Sequence, residues 1–389
     1  MLAKLPPPTA WSSALIATLV GFGGTIALVV QAMRTLGADV EQTTSAVTAL
    51  CLGIALAGAA LSFTLRIPIV LAWSTPGAAL LAATAPGLAW PAVVGVFIAA
   101  ALMMIALGLI PALGRLAQLI PTAIASAMLA GVLLPFCLGL FALGTVDPSL
   151  VLALVAVFLI ARQRAPIYAL LLVLVAGLLL ALARGDLASM PAGPTFGRLD
   201  PALPVFDLQS ILGLGIPLFL VTLVSQNLPG LAVLRTSGYA PALRPLLLGT
   251  GVASLAAAPF GAHGINLAAI TAAICINDDA HPDADKRWLV AALYAGFYLL
   301  LAALAPLLVR VFLALPPPLI AALTGIALIP ALLGAIEAML QEKEQRDAAI
   351  ITFLATASGL ALYGLGSTFW GLLAGLLAIG AKSFARVKS

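Results

Sequence analysis

"AAAPFGAHGINLAAI" occupies Ala256–Ile270, between two apolar segments of a very hydrophobic chain. It holds His263, one of only two histidines, with Pro259, Gly261 and Gly264 around it. Proline and glycine at this density break a helix. Irregular backbone at membrane depth is tolerated only where it is buried in protein or lines a cavity. A second stretch, "IPIVLAWSTPGAALLA" at Ile67–Ala82, reads the same way: an extended piece, then a short helix. Pro76 suits a first helical turn, where its missing N–H costs nothing, and Ser74 or Thr75 is the candidate cap. Two half-helices that start near the midplane aim free N–H groups and positive dipole ends at one point, a site for an anion.

Of the 389 residues 63% are hydrophobic and only 8% charged, and the mean hydropathy is +1.19. Soluble domains carry about 25% charged residues, so the chain reads as an all-α polytopic membrane protein. The net charge of +4 is spread over short loops and gives no nucleic-acid footprint. Cys51, Cys137 and Cys275 lie far apart in apolar segments, so packing rather than a disulfide framework is their expected role. The start, "MLAKLPPPTAW", has no clear cleavable signal.

A span needs about 20 apolar residues. Fourteen segments are expected, at 11–36, 43–64, 67–84, 91–114, 121–141, 146–161, 166–183, 208–235, 241–257, 260–276, 287–312, 317–338, 346–363 and 366–385. The third and tenth are the broken ones. An even count puts both termini on one side. Fourteen basic residues, from Lys4 to Lys388, then share that side, against Arg34, Arg184, Arg198 and Arg310 on the other. The positive-inside rule makes the terminal side cytoplasmic.

The two halves echo each other in order. "MRTLGA" (33–38) returns as "LRTSGYA" (234–240), 201 residues on. "STPGAALLAATA" (74–85) can be laid on "HGINLAAITAAI" (263–274), 189 apart. "IPTAIASAMLAG" (120–131) echoes "LPPPLIAALTG" (315–325), about 194 apart. Seven spans per half is an odd number, so residues 1–190 and 205–389 are expected as two inverted repeats, the layout of many secondary transporters.

Five stretches carry a family resemblance: "GFGGTIALVVQA" (21–32), "AWSTPGAALLA" (72–82), "GIPLFLVTLVSQNLPGLAVLR" (215–235), "APFGAHGINLAAITAAIC" (258–275) and "GSTFWGLLAG" (366–375). Over nearly its whole length the chain resembles the bacterial benzoate:proton symporters, within the larger group of uracil/xanthine permeases and anion transporters. The resemblance implies a core domain (11–114 plus 208–312) and a gate domain (121–183 plus 317–385), with substrate between the third and tenth spans. It also implies a multi-pass protein of the bacterial inner membrane, alternating access by elevator or rocking motion, and a homodimer through the gate domain. Uracil-type relatives carry glutamates in the eighth and tenth spans. Here those spans offer Ser225, Gln226, Asn227, His263 and Asn266 and no acid. A site without carboxylates suits an anion better than a neutral base, because a nearby glutamate would repel it in low dielectric.

His263 is the ionisable side chain expected at membrane depth, where such residues are functional by default. A carboxylate bound beside it stabilises the imidazolium, so an aromatic anion and a proton would load together. Its alternative is a histidine hydrogen-bonded to backbone. Ser225, Gln226 and Asn227 precede Pro229 and are expected at the substrate; their alternative is bonding between helices. Ser74 and Thr75 are caps, anion donors or both. Gly264 allows close backbone approach or merely kinks the chain, and Asn266 reaches the ligand or fixes the end of its segment. Gly23 and Gly24 bring the first span near the site or serve helix packing. Trp73 and Phe260 are candidates for an apolar slot around the ring, which "TGIALIP" (324–330) would close. Glu337 is a second candidate proton acceptor, or simply reaches water. The run "NDDAHPDADKR" (277–287) lacks the spacing of a calcium loop and reads as a solvated loop with His281 incidental. No metal or cofactor is expected. Neither HExxH nor GxSxG occurs, so an enzyme is not expected. An anion channel, an exchanger or a nucleobase permease on the same fold are the rival readings.

Overall fold

The structure, a computed structural model, describes residues 6–84, 87–110, 121–363 and 365–387, with 382–387 as backbone. Lys4, Arg115 and Lys388, and residues 111–114 of the expected fourth span, lie outside the described residues, as do the side chains of Lys382 and Arg386. The first half contains α1 (Pro8–Gly23), α2 (Ile26–Thr35), α3 (Val40–Leu65), β1 (Leu71–Trp73), α4 (Thr75–Ala82), α5 (Trp90–Leu109), α6 (Thr122–Ala142), α7 (Pro148–Arg164) and α8 (Ala169–Arg184). The second contains α9 (Leu208–Thr236), α10 (Leu243–Ala257), β2 (Ile265–Leu267), α11 (Ile270–Ile276), α12 (Trp288–Leu313), α13 (Pro317–Leu340), α14 (Arg346–Ala357) and α15 (Ser367–Val387). Among the described residues nine helical stretches are long and apolar enough to cross a membrane. The protein is therefore a mostly helical membrane protein.

Local chemistry sets the helix ends. Asp39 and Gln42 form a reciprocal capping box at α3, with the Gln42 N–H 2.7 Å from Asp39 Oδ1 and the Asp39 N–H 3.0 Å from Gln42 Oε1. Asp147 caps α7 ahead of Pro148, and Gly185 ends α8 in the left-handed region at φ 71°. The expected first span, 11–36, is in fact two helices, broken at Gly24 and Thr25. Thr25 Oγ1 turns back to donate to the Gly21 carbonyl at 2.9 Å.

The helices gather into two groups. In one, α3 packs on α12 and α10, α10 on α5, and α1 on α12 and α11. In the other, α6 packs on α13 and α14, α14 on α15, and α7 on α8. Close approach in the second group needs glycine: a Cβ on Gly325 would sit 2.8 Å from the Phe136 carbonyl oxygen. Arg66 lies 4.5 Å over the Trp288 ring, so the end of α3 and the start of α12 share one end of the bundle.

β1 and β2 pair antiparallel in the interior, Leu71 opposite Leu267, Ala72 opposite Asn266 and Trp73 opposite Ile265. So short a ladder leaves edge groups that hydrocarbon cannot satisfy. Neighbouring side chains supply them. The Tyr294 hydroxyl donates to the Leu71 carbonyl at 2.9 Å. Ser254 Oγ accepts the Ile265 N–H at 2.8 Å, and Asn227 Oδ1 accepts the Leu267 N–H at 3.1 Å. Just before β1, Ser62 Oγ accepts the Ile69 N–H at 3.0 Å.

The two broken segments do share one design, but in a different register from the one the sequence suggests. β1 and β2 begin 194 residues apart, at Leu71 and Ile265. α4 and α11 begin 195 apart, at Thr75 and Ile270. The offset of 189 laid His263 on Ser74, the cap of α4. The structural offset sets Ala268 or Ala269 there instead. Matching alanines in Ala/Leu-rich sequence drew the alignment five or six residues off.

Between α8 and α9 the chain runs as an extended strap over 186–207. Its backbone bonds tie it to the first helix group: Gly197 N–H to the Ala303 carbonyl at 2.8 Å, Ala202 N–H to Pro259 at 2.8 Å and Val205 N–H to Pro91 at 2.8 Å. Pro306 has no N–H for the Ala302 carbonyl, and Gly197 docks at that gap, where a Cβ would meet Ala302 O at 2.5 Å. Arg310, buried, donates to the Gly193 carbonyl at 2.8 Å.

Candidate functional site

α4 starts as its sequence demands. Ser74 Oγ accepts the Gly77 N–H at 3.0 Å, and Pro76 sits in the first turn. Ser74 is fully buried and also accepts a hydrogen bond from Thr222 Oγ1 at 3.0 Å. Thr222 belongs to α9, immediately before a π-helical turn at Leu223–Asn227. Pro229 lacks the N–H that would bond the Ser225 carbonyl, and the helix widens one turn earlier. Such π-turns collect at functional sites. This one carries Ser225 and Gln226 on its surface.

These elements wall a cavity of about 770 Å³ between the two helix groups, within the roughly 300–1,000 Å³ of small-molecule sites. Trp73, Thr75 and Pro76 come from the crossing, and Ser225, Gln226 and Pro229 from α9. Thr25, Ala268 and Thr271 also line it. The opposite wall is α13, through Ala327, Pro330, Ala331, Gly334, Ala335 and Ala338, with Ser126 and Leu129 of α6 and Phe158 of α7. Arg162 and Ile167, both exposed, stand at its mouth. No acidic residue lines it among the described residues. Trp73 is anchored by its Nε1, which donates to Thr25 Oγ1 at 2.8 Å, and it packs on Phe22 with ring centroids 5.4 Å apart.

The expected site residues therefore divide. Trp73, Thr75, Ser225 and Gln226 line the cavity. Ser74, Asn227, His263, Gly264 and Asn266 lie behind its wall. His263 is 2% exposed, with Nε2 3.1 Å from the Ser74 carbonyl oxygen and Nδ1 without a partner. Its contact is to the capping residue, not to the cavity, because β2 begins two residues beyond it and α11 seven. Asn227 is spent on the β2 edge and on Met104 Sδ, 3.7 Å away. Asn266 donates to the neighbouring Leu267 carbonyl at 3.3 Å and leaves Oδ1 unpartnered.

Gly23 and Gly24 pack against α8, where added Cβ atoms would meet Leu171 Cδ1 at 3.3 Å and Leu170 Cβ at 3.2 Å. Phe260 is outside the cavity, and its carbonyl accepts from Ser45 Oγ at 3.1 Å on the strap side. Glu337 is exposed and off the lining. Sequence reasoning missed Thr25, Thr222, Phe158 and Arg162. For the last pair the available signal was an aromatic and a cation four residues apart on an aliphatic helix.

The acidic loop is more ordered than a solvated loop would be. His281 is buried, and its Nδ1 accepts the Asp283 N–H at 3.1 Å. Arg287 donates to the His281 carbonyl at 2.8 Å and pairs with Asp278. Lys286 beside Asp283 holds that carboxyl below the usual carboxylate range. Among the described residues no cluster could hold a metal ion.

The buried crossing of β1 and β2 thus stands beside an acid-free cavity. The family model described as benzoate membrane transport protein, BenE, matches residues 4–380. This chain belongs to the BenE family. A BenE relative from Acinetobacter baylyi, named benzoate membrane transport protein, is 37% identical over 363 residues, 93% of this chain and 92% of its own. The inner membrane protein YdcO of Escherichia coli K12 is 39% identical over 381 residues, 96% of this chain and 95% of its own. Among solved structures, the transmembrane domain of a cyanobacterium bicarbonate transporter, BicA, aligns with a TM-score of 0.59 at 17% identity, covering 95% of this chain and 97% of that one. The murine Solute Carrier 26 family member A9 anion transporter, in its inward-facing state, aligns with a TM-score of 0.60 at 13% identity, covering 99% and 70%. At those identities the likeness is one of fold. This BenE chain is a multi-pass membrane transporter, not an enzyme.

Proposed function

We propose that the protein is a secondary active transporter that brings benzoate, or a close aromatic monocarboxylate, into the cell together with a proton. The observation that carries this is the acid-free cavity of about 770 Å³ set against the capped start of α4. Thr75 offers a donor to a carboxylate, since the Gly77 and Ala78 N–H groups are taken by Ser74, Gln226 and Ser225 add neutral donors, and Trp73 and the Ala/Pro face of α13 suit an apolar ring. The A. baylyi relative's name supports benzoate as the substrate.

In this reading the chain crosses fourteen times in two inverted repeats, with both termini cytoplasmic. The group built on α3, α5, α10 and α12 is the core domain, and the group built on α6, α13 and α14 is the gate. The cavity between them opens beside Arg162, on the arginine-rich side, which makes this an inward-facing state. Proton coupling belongs to His263. With no cavity contact of its own, it acts through the Ser74 carbonyl on the cap of α4. A dimer through the gate domain completes the proposal.

Uptake of labelled benzoate into proteoliposomes, with and without an inward proton gradient, tests it. Gradient-driven uptake blocked by salicylate but not by uracil or sulfate is the expected result. Uptake indifferent to the gradient would replace the symporter with a channel or exchanger.

A further inference from the structure

Arg162 is the one charged side chain on the cavity lining among the described residues. It sits at the mouth, near the end of α7, with its guanidinium 5.7 Å over the ring of Phe158 one turn earlier. Phe158 is buried and lines the cavity too. Among the described residues, the ion pairs of Asp147 with Arg184, Asp283 with Lys286 and Asp278 with Arg287 all lie away from the cavity. Stacking on a ring fixes the stem of an arginine and leaves its in-plane N–H donors free.

We propose that Arg162 is a second binding station for the carboxylate of the transported anion, at the mouth of the cavity and ahead of the neutral site at Thr75, Ser225 and Gln226. The proposal rests on the anion-transport reading above. A carboxylate moving from water into a cavity of alanine, proline and leucine loses its hydration before it meets Thr75, Ser225 and Gln226. A guanidinium at the threshold offers paired N–H donors during that passage. The apolar walls also weaken screening of its field, so it concentrates anions at the opening. Arg164, two residues on, bears the same charge but does not line the cavity. It separates a station from general surface charge.

The experiment compares wild type, Arg162→Gln, Arg162→Lys and Arg164→Gln in proteoliposomes of sorted orientation. It measures benzoate KM and maximal rate from each face at low and high salt. Arg162→Gln should raise KM about three- to fivefold at the face where the mouth opens. It should leave the maximal rate and the opposite face unchanged and flatten the salt dependence of KM. Arg162→Lys should keep the salt dependence while recovering only part of the KM. Arg164→Gln should match wild type. An unchanged KM in Arg162→Gln, an equal rise in Arg164→Gln, or an equal rise at both faces would each overturn the station while leaving the transporter reading intact. Absence of benzoate transport by wild type would instead overturn the transporter reading, and the station with it.

Discussion

The two halves of the crossing have the same plan and different chemistry. Before α4 stands a buried serine that caps it, then Pro76 in the first turn. Before α11 stands Ala269, with no side-chain cap. α4 has eight residues and α11 seven. The Ser74 side is also wired outward, to Thr222 through the hydroxyl and to His263 through the carbonyl. One half-helix is thus held at its start by side chains, and the other is not. Pseudo-symmetry of backbone does not imply symmetry of function.

The largest effect should come from breaking the wired side at its far end. His263→Ala should abolish benzoate accumulation driven by a proton gradient while counterflow of benzoate persists. Gradient-driven uptake that survives unchanged would remove His263 from the coupling. Next comes the cap itself. Ser74→Ala removes a buried cap, about 1 kcal/mol, and strands the Thr222 hydroxyl, about 1–3 kcal/mol more. Initial uptake rates should fall about tenfold or more, whereas Ala269→Gly should change them less than about twofold. Equal losses in the two variants would erase the asymmetry.

The smallest effect belongs to an exposed cap. Arg184 holds the Asp147 carboxyl below its usual range, helped by the Leu150 N–H. A depressed carboxylate stabilises the fold above its unfolded pKa, about 3.9, and that stability is lost as pH falls through the lower folded value. Asp147→Asn should therefore lower the melting temperature at neutral pH by no more than about two degrees. The gap should close only in acid. A large drop at neutral pH would mean that an exposed cap matters as much as Ser74 does.

Much of this was legible in the sequence. Pro and Gly in Ile67–Ala82 and Ala256–Ile270 marked both breaks, and Ser74 and Pro76 announced α4. Pro229 marked the loosened turn that brings Ser225 and Gln226 to the cavity. What escaped was whatever lacked a local signal. α11 begins after two alanines, so nothing fixed its start, and His263 was taken for a residue facing the ligand. The break at Gly24 looked like one continuous span because its apolar period runs straight through. Asn227 looked like a ligand group because the strand edge it satisfies forms only in three dimensions. The strap over 186–207 carries no periodicity at all, and its place is set by hydrogen bonds to carbonyls distant in sequence.

That strap has a mechanical meaning. Its first anchor is the Ala188 N–H on the Ala314 carbonyl, 3.0 Å away. Ala314 lies where α12 gives way to α13, and Ala188 where α8 gives way to the strap. Both are points at which the chain passes from one helix group to the other. Two covalent crossings are therefore pinned together at a single spot. Any motion of one group against the other has to keep that hydrogen bond or break it. The linker that joins the halves of the sequence is thus fastened where the chain makes its other passage between α12 and α13.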